Sequence, residues 1–135
     1  NTTEITVDFL RSLNEHCKYP NLEVIIVDNG SRENPESILK AVYPQAKIIL
    51  NGKNLGFTGG NNIGIKAAKG DYLFIVNNDT EFTPGLLEGL LKIFETYPDA
   101  GIVSPKFHYF FHKGTIEYAG YNEVNIFTGR NSMIG

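Results

Sequence analysis

Short apolar runs alternate with helical stretches along most of this chain. Residues 23–28 form a continuous apolar run that ends in Asp28; the run is too short for a helix and rich in β-branched residues. This pattern predicts a strand buried on both faces. Residues 46–50 and 71–76 have the same character and predict two more strands, and residues 101–104 predict a fourth, shorter one.

Helices are predicted before and between these strands. The first brings Ile5, Phe9, Leu10, Leu13 and Cys17 onto one apolar face. The second and fourth helices begin with a polar cap followed by proline, Asn34-Pro35 and Thr83-Pro84, which is the usual signal for a helix start. The third helix ends at Gly70. The predicted helices, counted from their caps, cover residues 4–17, 34–43, 61–69 and 83–94. Beyond them, residues 107–111 and 115–118 predict short strands or loops.

Strands that alternate with helices need crossover connections, so the expected fold class is α/β, a mostly parallel sheet with helices on both faces. We expect residues 1–135 to form a single domain. Ligands of such sheets bind at the carboxyl ends of the strands. Polar clusters stand at those ends in residues 28–31, 51–62 and 77–79.

Composition excludes several classes of protein. The chain has 135 residues and a net charge of −3, from 15 acidic and 12 basic residues, with no segment rich in Lys and Arg. A dedicated nucleic-acid binder would need a basic stripe, so no nucleic-acid partner is expected. No apolar stretch reaches the roughly 20 residues that span a bilayer. Cys17 is the single cysteine, which fits a reducing compartment.

The polar clusters allow both a structural and a chemical interpretation. Asp28-Asn-Gly-Ser31 is composed of turn formers, yet a carboxylate at a sheet rim can also accept hydrogen bonds from a ligand. The glycine-rich stretch 54–64 allows close backbone approach, but lacks the lysine of a phosphate-binding loop and does not fit G-x-G-x-x-G. Asp79 follows a predicted strand and suits a cation shared with substrate phosphates, or simply a turn before the next helix.

His108 and His112 have a spacing that would suit zinc on a helix. The aromatic residues between them favour a strand or a packed loop, and no third ligand is evident. We therefore favour a packing role for this segment over a metal site.

Taken in order, these motifs resemble the family 2 glycosyltransferases, which have the glycosyltransferase-A fold. The resemblance rests on residues 23–31, on 54–64, on 70–79 and on Pro84, and covers about residues 5–105. It is closest to the rhamnosyltransferase-like members, in which the stretches Asn-Leu-Gly-Phe-x-Gly-Gly-Asn-Asn and Asn-Asn-Asp are typical. Three ordered motifs at compatible spacing are far more specific than any one of them.

The resemblance implies inverting transfer of a sugar from a nucleotide-sugar donor to a hydroxyl of a polysaccharide or glycolipid acceptor. Asp28 matches the acid that contacts the donor's base, and residues 54–62 match the loop beside the nucleotide. Asp79 matches the last acid of the Asp-x-Asp motif, which binds a divalent cation, Mg²⁺ or Mn²⁺. The implied donor-binding residues are Asp28, Asn29, Asn54, Gly56, Gly60, Asn61, Asn62, Asn77 and Asn78.

The sequence departs from the family pattern at several points. Asn77 replaces the first acid of the motif, so metal binding rests on Asp79 alone, and Asn61 stands where many members have Arg. The family's catalytic base comes from a later segment; Glu117 and Glu123 are acids that no motif marks as that base. The chain is therefore interpreted as the nucleotide-sugar-binding part of a longer enzyme, inactive alone.

The family also has a strand before the first helix, and the sequence starts at that helix, at Asn1 and without Met. That strand normally lies between the strands of residues 23–28 and 71–76. We expect either upstream residues to fill this gap or a second copy to pair there as a homodimer. The expected location is the cytoplasm, including the inner face of the membrane, in polysaccharide biosynthesis.

Two rival interpretations remain at this stage. One is a non-catalytic α/β nucleotide-binding or interaction module that keeps the fold without turnover. The other is a dinucleotide-dependent oxidoreductase, against which the lack of G-x-G-x-x-G after the first predicted strand counts.

Overall fold

The computed structural model describes residues 3–112 and 114–134. The chain divides into two compact units, a first unit that ends at Gly85 and a second that begins at Leu86. The elements within the described residues are α1 Thr3–His16, β1 Ile25–Asp28, α2 Glu36–Val42, β2 Lys47–Leu50, α3 Gly56–Ala67, α4 Leu86–Thr96, β3 Phe107–His108 and β4 Ile116–Tyr118. The predicted helices and the first two predicted strands are confirmed, with shifted ends.

The first unit is built around a parallel pair of strands. β1 pairs with β2 in a register that runs from Ile25 opposite Lys47 to Asp28 opposite Leu50. Parallel neighbours need a crossover, and α2 supplies it. Because both strands end together, the polar residues that follow Asp28 and Leu50 are placed side by side.

The core of the first unit lies where α1 meets α2. The side chain of Leu10 is fully buried, and Phe9 packs edge-on against Phe82 with ring centroids 5.4 Å apart. Phe74 also stacks edge-on against Phe82, at 6.0 Å. The buried apolar residues of this unit are Phe9, Leu10, Leu13, Leu39, Tyr43, Ala46 and Phe82.

One position of the predicted apolar face of α1 is wrong. Ile5 is 44% exposed, whereas Thr6, which the pattern left out, is buried at 8%. The Asn78 side chain donates a hydrogen bond to the Thr6 hydroxyl, so this hydroxyl can be buried without losing a hydrogen-bond partner. Cys17 lies just past the end of α1 and is half-buried.

α3 starts earlier than predicted. It begins at Gly56 rather than Asn61, so half of the predicted glycine-rich loop of residues 51–60 is the first turn and a half of a helix. Because glycine is a poor helix former, the glycine-rich sequence predicted a loop where the helix begins. Packing stabilises it instead: α3 lies against β1, where a Cβ on Gly64 would be 3.3 Å from the Val27 Cγ2 atom.

The predicted strand at residues 71–76 is not formed. These residues have no strand partner within the described chain, and Tyr72, Leu73 and Ile75 are each more than half exposed. An extended segment becomes a strand only when another strand satisfies its backbone groups. β1 pairs with β2 alone among the described residues and is half-buried, not buried on both faces as predicted. Direct pairing of β1 with residues 71–76, which would contradict the predicted strand order, does not occur there.

The second unit contains α4 and a short antiparallel pair. β3 pairs with β4, and the rings of Phe107 and Tyr118 lie 6.0 Å apart across it. Both short strands were predicted, in longer form. The predicted strand at residues 101–104 is wrong, since this segment is irregular and Ile102 is 92% exposed. Across the described ranges, no helix combines the length and apolar character that crossing a membrane requires.

Candidate functional site

The carboxyl end of β1 carries the first candidate side chain. Asp28 is half-buried, and its Oδ2 accepts a hydrogen bond of 3.1 Å from the backbone N–H of Ser31. Its backbone carbonyl accepts the N–H of Asn51 at 3.0 Å. Within the described residues Oδ1 has no hydrogen-bond partner, so this oxygen is open to a ligand N–H or hydroxyl group.

Asn29, the next residue, is the centre of a hydrogen-bond network. Its Nδ2 donates to the Oδ1 of Asn54 and to the carbonyl of Gly56, both at 3.0 Å. Its Oδ1 accepts from Nδ2 of Asn51 at 3.1 Å and from the backbone N–H of Leu55 at 3.0 Å. A side-chain amide has two donors and two acceptor lone pairs, so these bonds satisfy Asn29 completely.

Only the oxygen of the Asn54 side-chain amide has hydrogen-bond partners in the described part of the chain. Its Oδ1 accepts the Asn29 bond and a second one, of 2.8 Å, from the backbone N–H of Gly56. Its Nδ2 has no partner in the described part of the chain, and the residue is exposed. Because the Gly56 N–H can only donate, the Asn54 oxygen must face it, and the NH₂ group must face away.

Close backbone packing supports the same loop. Gly30 has φ of +92°, and a Cβ built on it would lie 2.7 Å from the carbonyl carbon of Lys53. No other residue fits there, because both the conformation and the space exclude a side chain. Gly60, on α3, is buried with the Asn29 amide 3.5 Å from its Cβ position. The residues after β1, the loop after β2 and α3 therefore pack as one cluster.

The remaining predicted residues of α3 are Asn61 and Asn62. Asn61 is half-buried and Asn62 is exposed, and neither side chain has a hydrogen-bond partner among the residues described. They lie in the second turn of α3, directly after Gly60. Their amides are therefore open, unlike that of Asn29.

The predicted metal motif lies in a turn anchored to α1. Nδ2 of Asn78 donates to Oγ1 of Thr6 at 2.8 Å, and the N–H of Phe82 donates to Oγ of Ser12 at 2.7 Å. Between these two bonds Asp79 is exposed, with no hydrogen bond or ion pair to the described chain. No cluster of three His, Cys, Asp or Glu side chains capable of holding a metal occurs within residues 3–112 and 114–134. A single free carboxylate fits a cation that takes its other ligands from substrate phosphates.

The predicted residues thus fall into two groups. Asp28, Asn29, Asn54, Gly56 and Gly60 are brought together at the carboxyl ends of β1 and β2. The turn of residues 77–79 is fixed to α1, and no hydrogen bond of the described residues joins it to the first group.

Sequence reasoning placed Asn51 in a polar cluster but left it out of the candidate site residues, and it missed Thr6; these two residues hold the two groups in place. A signal for Asn51 did exist. Asp28 and Leu50 are paired ends of parallel strands, so the residues that follow them, Asn29 and Asn51, are necessarily neighbours. Thr6 gave no such signal, because its partner Asn78 is 72 positions away along the chain.

Other candidate features do not form a site. His108 lies in β3 and the His112 ring stacks edge-on with Tyr109, so the two histidines do not share a helix face. Glu117 and Glu123 are exposed. A groove of about 340 Å³ lies between α1 and Ile38 of α2, lined by none of the predicted site residues.

Comparison with known proteins identifies a family and several relatives named as glycosyltransferases. A sequence model described as "Glycosyl transferase family 2" matches residues 1–133. A Bacillus subtilis glycosyltransferase, YwdF, is 35% identical over 103 residues, which cover 72% of this chain and 37% of the relative. A Haemophilus influenzae glycosyltransferase is 32% identical over 83 residues, covering 62% of this chain and 28% of the relative.

A relative with a more specific name comes from Mycobacterium tuberculosis. This N-acetylglucosaminyl-diphospho-decaprenol L-rhamnosyltransferase is 28% identical over 108 residues, which cover 72% of this chain and 35% of the relative. The chain spans about a third of the length of the curated relatives that it matches.

Proposed function

This chain belongs to glycosyltransferase family 2, and we propose that it binds the nucleotide-sugar donor of an inverting glycosyltransferase. The family implies the glycosyltransferase-A fold, which accounts for the parallel β1–β2 pair and its helices. The proposed reaction moves the donor's sugar to a hydroxyl of an acceptor and releases a nucleoside diphosphate.

The observation that carries the proposal is the cluster at the carboxyl ends of β1 and β2. Asp28 there has an open carboxylate oxygen, and Asn54 has an open NH₂ group. An acceptor and a pair of donors in one cluster are the combination that a nucleotide needs, since its base and ribose offer N–H and hydroxyl groups and its phosphates offer oxygens. We assign Asp28 to the base or ribose and Asn54, with Asn61 and Asn62, to acceptor atoms of the donor.

Asp79 is the proposed ligand of a divalent cation, Mg²⁺ or Mn²⁺. The free carboxylate in a turn held by Asn78 and Thr6 supports this role. When bound, such a cation would neutralise the charge that develops on the departing diphosphate. Asn77 and Asn78 hold the turn in shape, because the Asn77 carbonyl accepts from Thr80 and the Asn78 amide donates to α1.

The acceptor is proposed to be a polysaccharide or a glycolipid. The name of the M. tuberculosis relative describes a diphospho-polyprenol acceptor and a rhamnosyl group. By analogy with that acceptor, we propose that the whole protein works in the cytoplasm at the inner face of a membrane. The catalytic base is not assigned to any residue of this chain.

Ligand-dependent melting tests the donor site. The thermal midpoint should rise with UDP, GDP or dTDP in the presence of Mn²⁺, because a ligand that binds only the folded state stabilises it. At a concentration 100 times its dissociation constant, such a ligand adds about 2.7 kcal/mol to the free energy of unfolding. NAD should leave the midpoint unchanged.

A matched pair of variants locates the effect. Asp28→Asn should weaken the shift, whereas Asn14→Ala, on the exposed side of α1, should not. A midpoint that rises with NAD and with no nucleoside diphosphate would instead favour an oxidoreductase. Nucleotide binding without sugar transfer by the whole protein would favour a non-catalytic nucleotide-binding module.

A further inference from the structure

We propose that Asn29 is a positioning residue that orients Asn54 toward the nucleotide, and that Asn29 does not itself contact the ligand. This inference rests on the proposed function for the identity of the ligand, whereas the positioning role rests on the hydrogen-bond network alone. Asn29 stands directly after Asp28, where a ligand contact is the obvious expectation. The network gives it a different role.

The Asn29 side chain has no hydrogen-bonding capacity left for a ligand. Both of its N–H donors and both lone pairs of its oxygen are engaged with residues 51–56. A ligand could reach this amide only by replacing one of those bonds, so net binding energy from Asn29 would be small. Two of its partners are backbone groups of Leu55 and Gly56, which fix the amide orientation, since an N–H only donates and a carbonyl only accepts.

Asn29 helps to fix the orientation of the Asn54 side chain. One lone pair of the Asn54 oxygen takes the Asn29 donor and the other takes the N–H of Gly56. The side chain is thereby held at both sides of its oxygen, and its two N–H donors are turned outward at the start of α3. A pair of fixed donors suits an acceptor group such as a phosphate oxygen or a base carbonyl.

Two contacts that do not involve the Asn29 side chain also hold the loop against the end of β1. The Gly30 backbone packs on the Lys53 backbone, and this contact does not involve the Asn29 side chain. The strand-end bond from the Asn51 N–H to the Asp28 carbonyl also remains without it. These contacts should keep the loop near β1 when the Asn29 amide is removed. The four bonds of that amide to residues 51–56 would be lost, so the loop should become more mobile and Asn54 should be free to rotate.

The experiment combines a nucleotide-binding cycle with a local probe of the loop. Dissociation constants for UDP, GDP and dTDP with Mn²⁺ are measured for wild type, Asn29→Ala, Asn54→Ala and the double variant. Asn14→Ala serves as the control. In parallel, the rate of trypsin cleavage after Lys53, inside the loop, is compared with the rate after Lys69, which follows α3.

We expect Asn29→Ala and Asn54→Ala each to weaken nucleotide binding about tenfold, with the double variant no weaker than Asn54→Ala. This non-additivity is the signature of a residue that acts through another. Cleavage after Lys53 should become several-fold faster in Asn29→Ala, while cleavage after Lys69 stays at the wild-type rate. Asn29→Asp keeps the size and the acceptors but loses both donors, so it should behave like Asn29→Ala in both assays.

Two results would overturn the positioning role. One is a double variant whose loss is the product of the single losses, because Asn29 would then contribute independently of Asn54. The other is unchanged cleavage after Lys53 in both Asn29 variants, since the loop would then not depend on this amide. If wild type binds none of the nucleotides, the proposed function fails and the ligand role of Asn54 with it, while the trypsin rates still decide whether Asn29 holds the loop.

Discussion

The side-chain amide of Asn78 donates a 2.8 Å hydrogen bond to the hydroxyl of Thr6, which lies 72 positions earlier in the chain and is buried in α1. A second bond, of 2.7 Å, runs from the N–H of Phe82 to the hydroxyl of Ser12 on the same helix. Thr6 and Ser12 thus hold the two ends of the segment that carries Asp79. α1 serves as the support of the proposed metal-binding turn, as well as a core helix.

Thr6→Val removes the hydroxyl while keeping the shape of the side chain. We expect it to lower the free energy of unfolding by about 1–2 kcal/mol, because the part-buried Asn78 amide loses its partner. Urea denaturation followed by circular dichroism measures this loss.

Ser12→Ala should lower the free energy of unfolding by about 1 kcal/mol. Because both bonds anchor one segment, the double variant should differ from the sum of the two by a measurable coupling. Strict additivity would mean that the two ends of the segment are held independently.

Gly30 and Gly52 provide a matched test of the close backbone contact. Both have positive φ, +92° and +66°, but a Cβ on Gly52 would meet nothing within 4 Å, whereas one on Gly30 would press on Lys53. Gly52→Ala should therefore cost about 1 kcal/mol, from conformation alone. Gly30→Ala should cost about 1–3 kcal/mol more, since a backbone shift must accommodate the new methyl group. Equal losses in urea denaturation would show that the Gly30–Lys53 contact is loose in solution.

Asp79→Ala tests the proposed metal ligand. We expect the Mn²⁺-dependent part of nucleoside diphosphate binding to weaken by about 2 kcal/mol, roughly 30-fold, because a charged ligand is lost. Calorimetry with and without Mn²⁺ measures the difference. Asp99→Ala, which removes another exposed carboxylate, should bind as wild type does. Equal affinity of wild type and Asp79→Ala in the presence of Mn²⁺ would remove Asp79 from the site.

The apolar segment of residues 72–75 predicts self-association of the 135-residue chain. Leu73 is 51% and Ile75 53% exposed, and neither lies in a strand. Exposed apolar segments and unpaired strand edges both favour association between copies. Light scattering at increasing concentration should show oligomers, and Leu73→Lys with Ile75→Lys should reduce them. Ile102→Lys, at a residue that is 92% exposed in the second unit, is the control. A chain that stays monomeric at high concentration would contradict this prediction.

The sequence by itself determined the elements whose cause is local. The apolar run that ends at Asp28 and the cap at Asn34 predicted β1 and α2 closely, and the Asn34 oxygen does accept the N–H of Glu36, at 2.9 Å. Parallel pairing followed from the alternation of strands and helices. Because ligands of parallel sheets bind at the carboxyl ends of the strands, the sequence also indicated Asp28 and its neighbours as a candidate site. Each of these inferences depends on neighbours in the chain or on a general rule of topology.

Tertiary structure decided whatever depends on a distant partner. The apolar run at residues 71–76 has the composition of a strand, but among the described residues it is not paired with another strand and stays irregular. α3 includes a glycine-rich stretch, and its Gly64 lets the helix pack closely on Val27 of β1. The side chain of Asn29, which the sequence placed among the ligand contacts, is committed to residues 51–56. Hydrogen bonds and packing between residues far apart in the chain decide these features, because composition near each residue does not specify which partner the fold will bring to it.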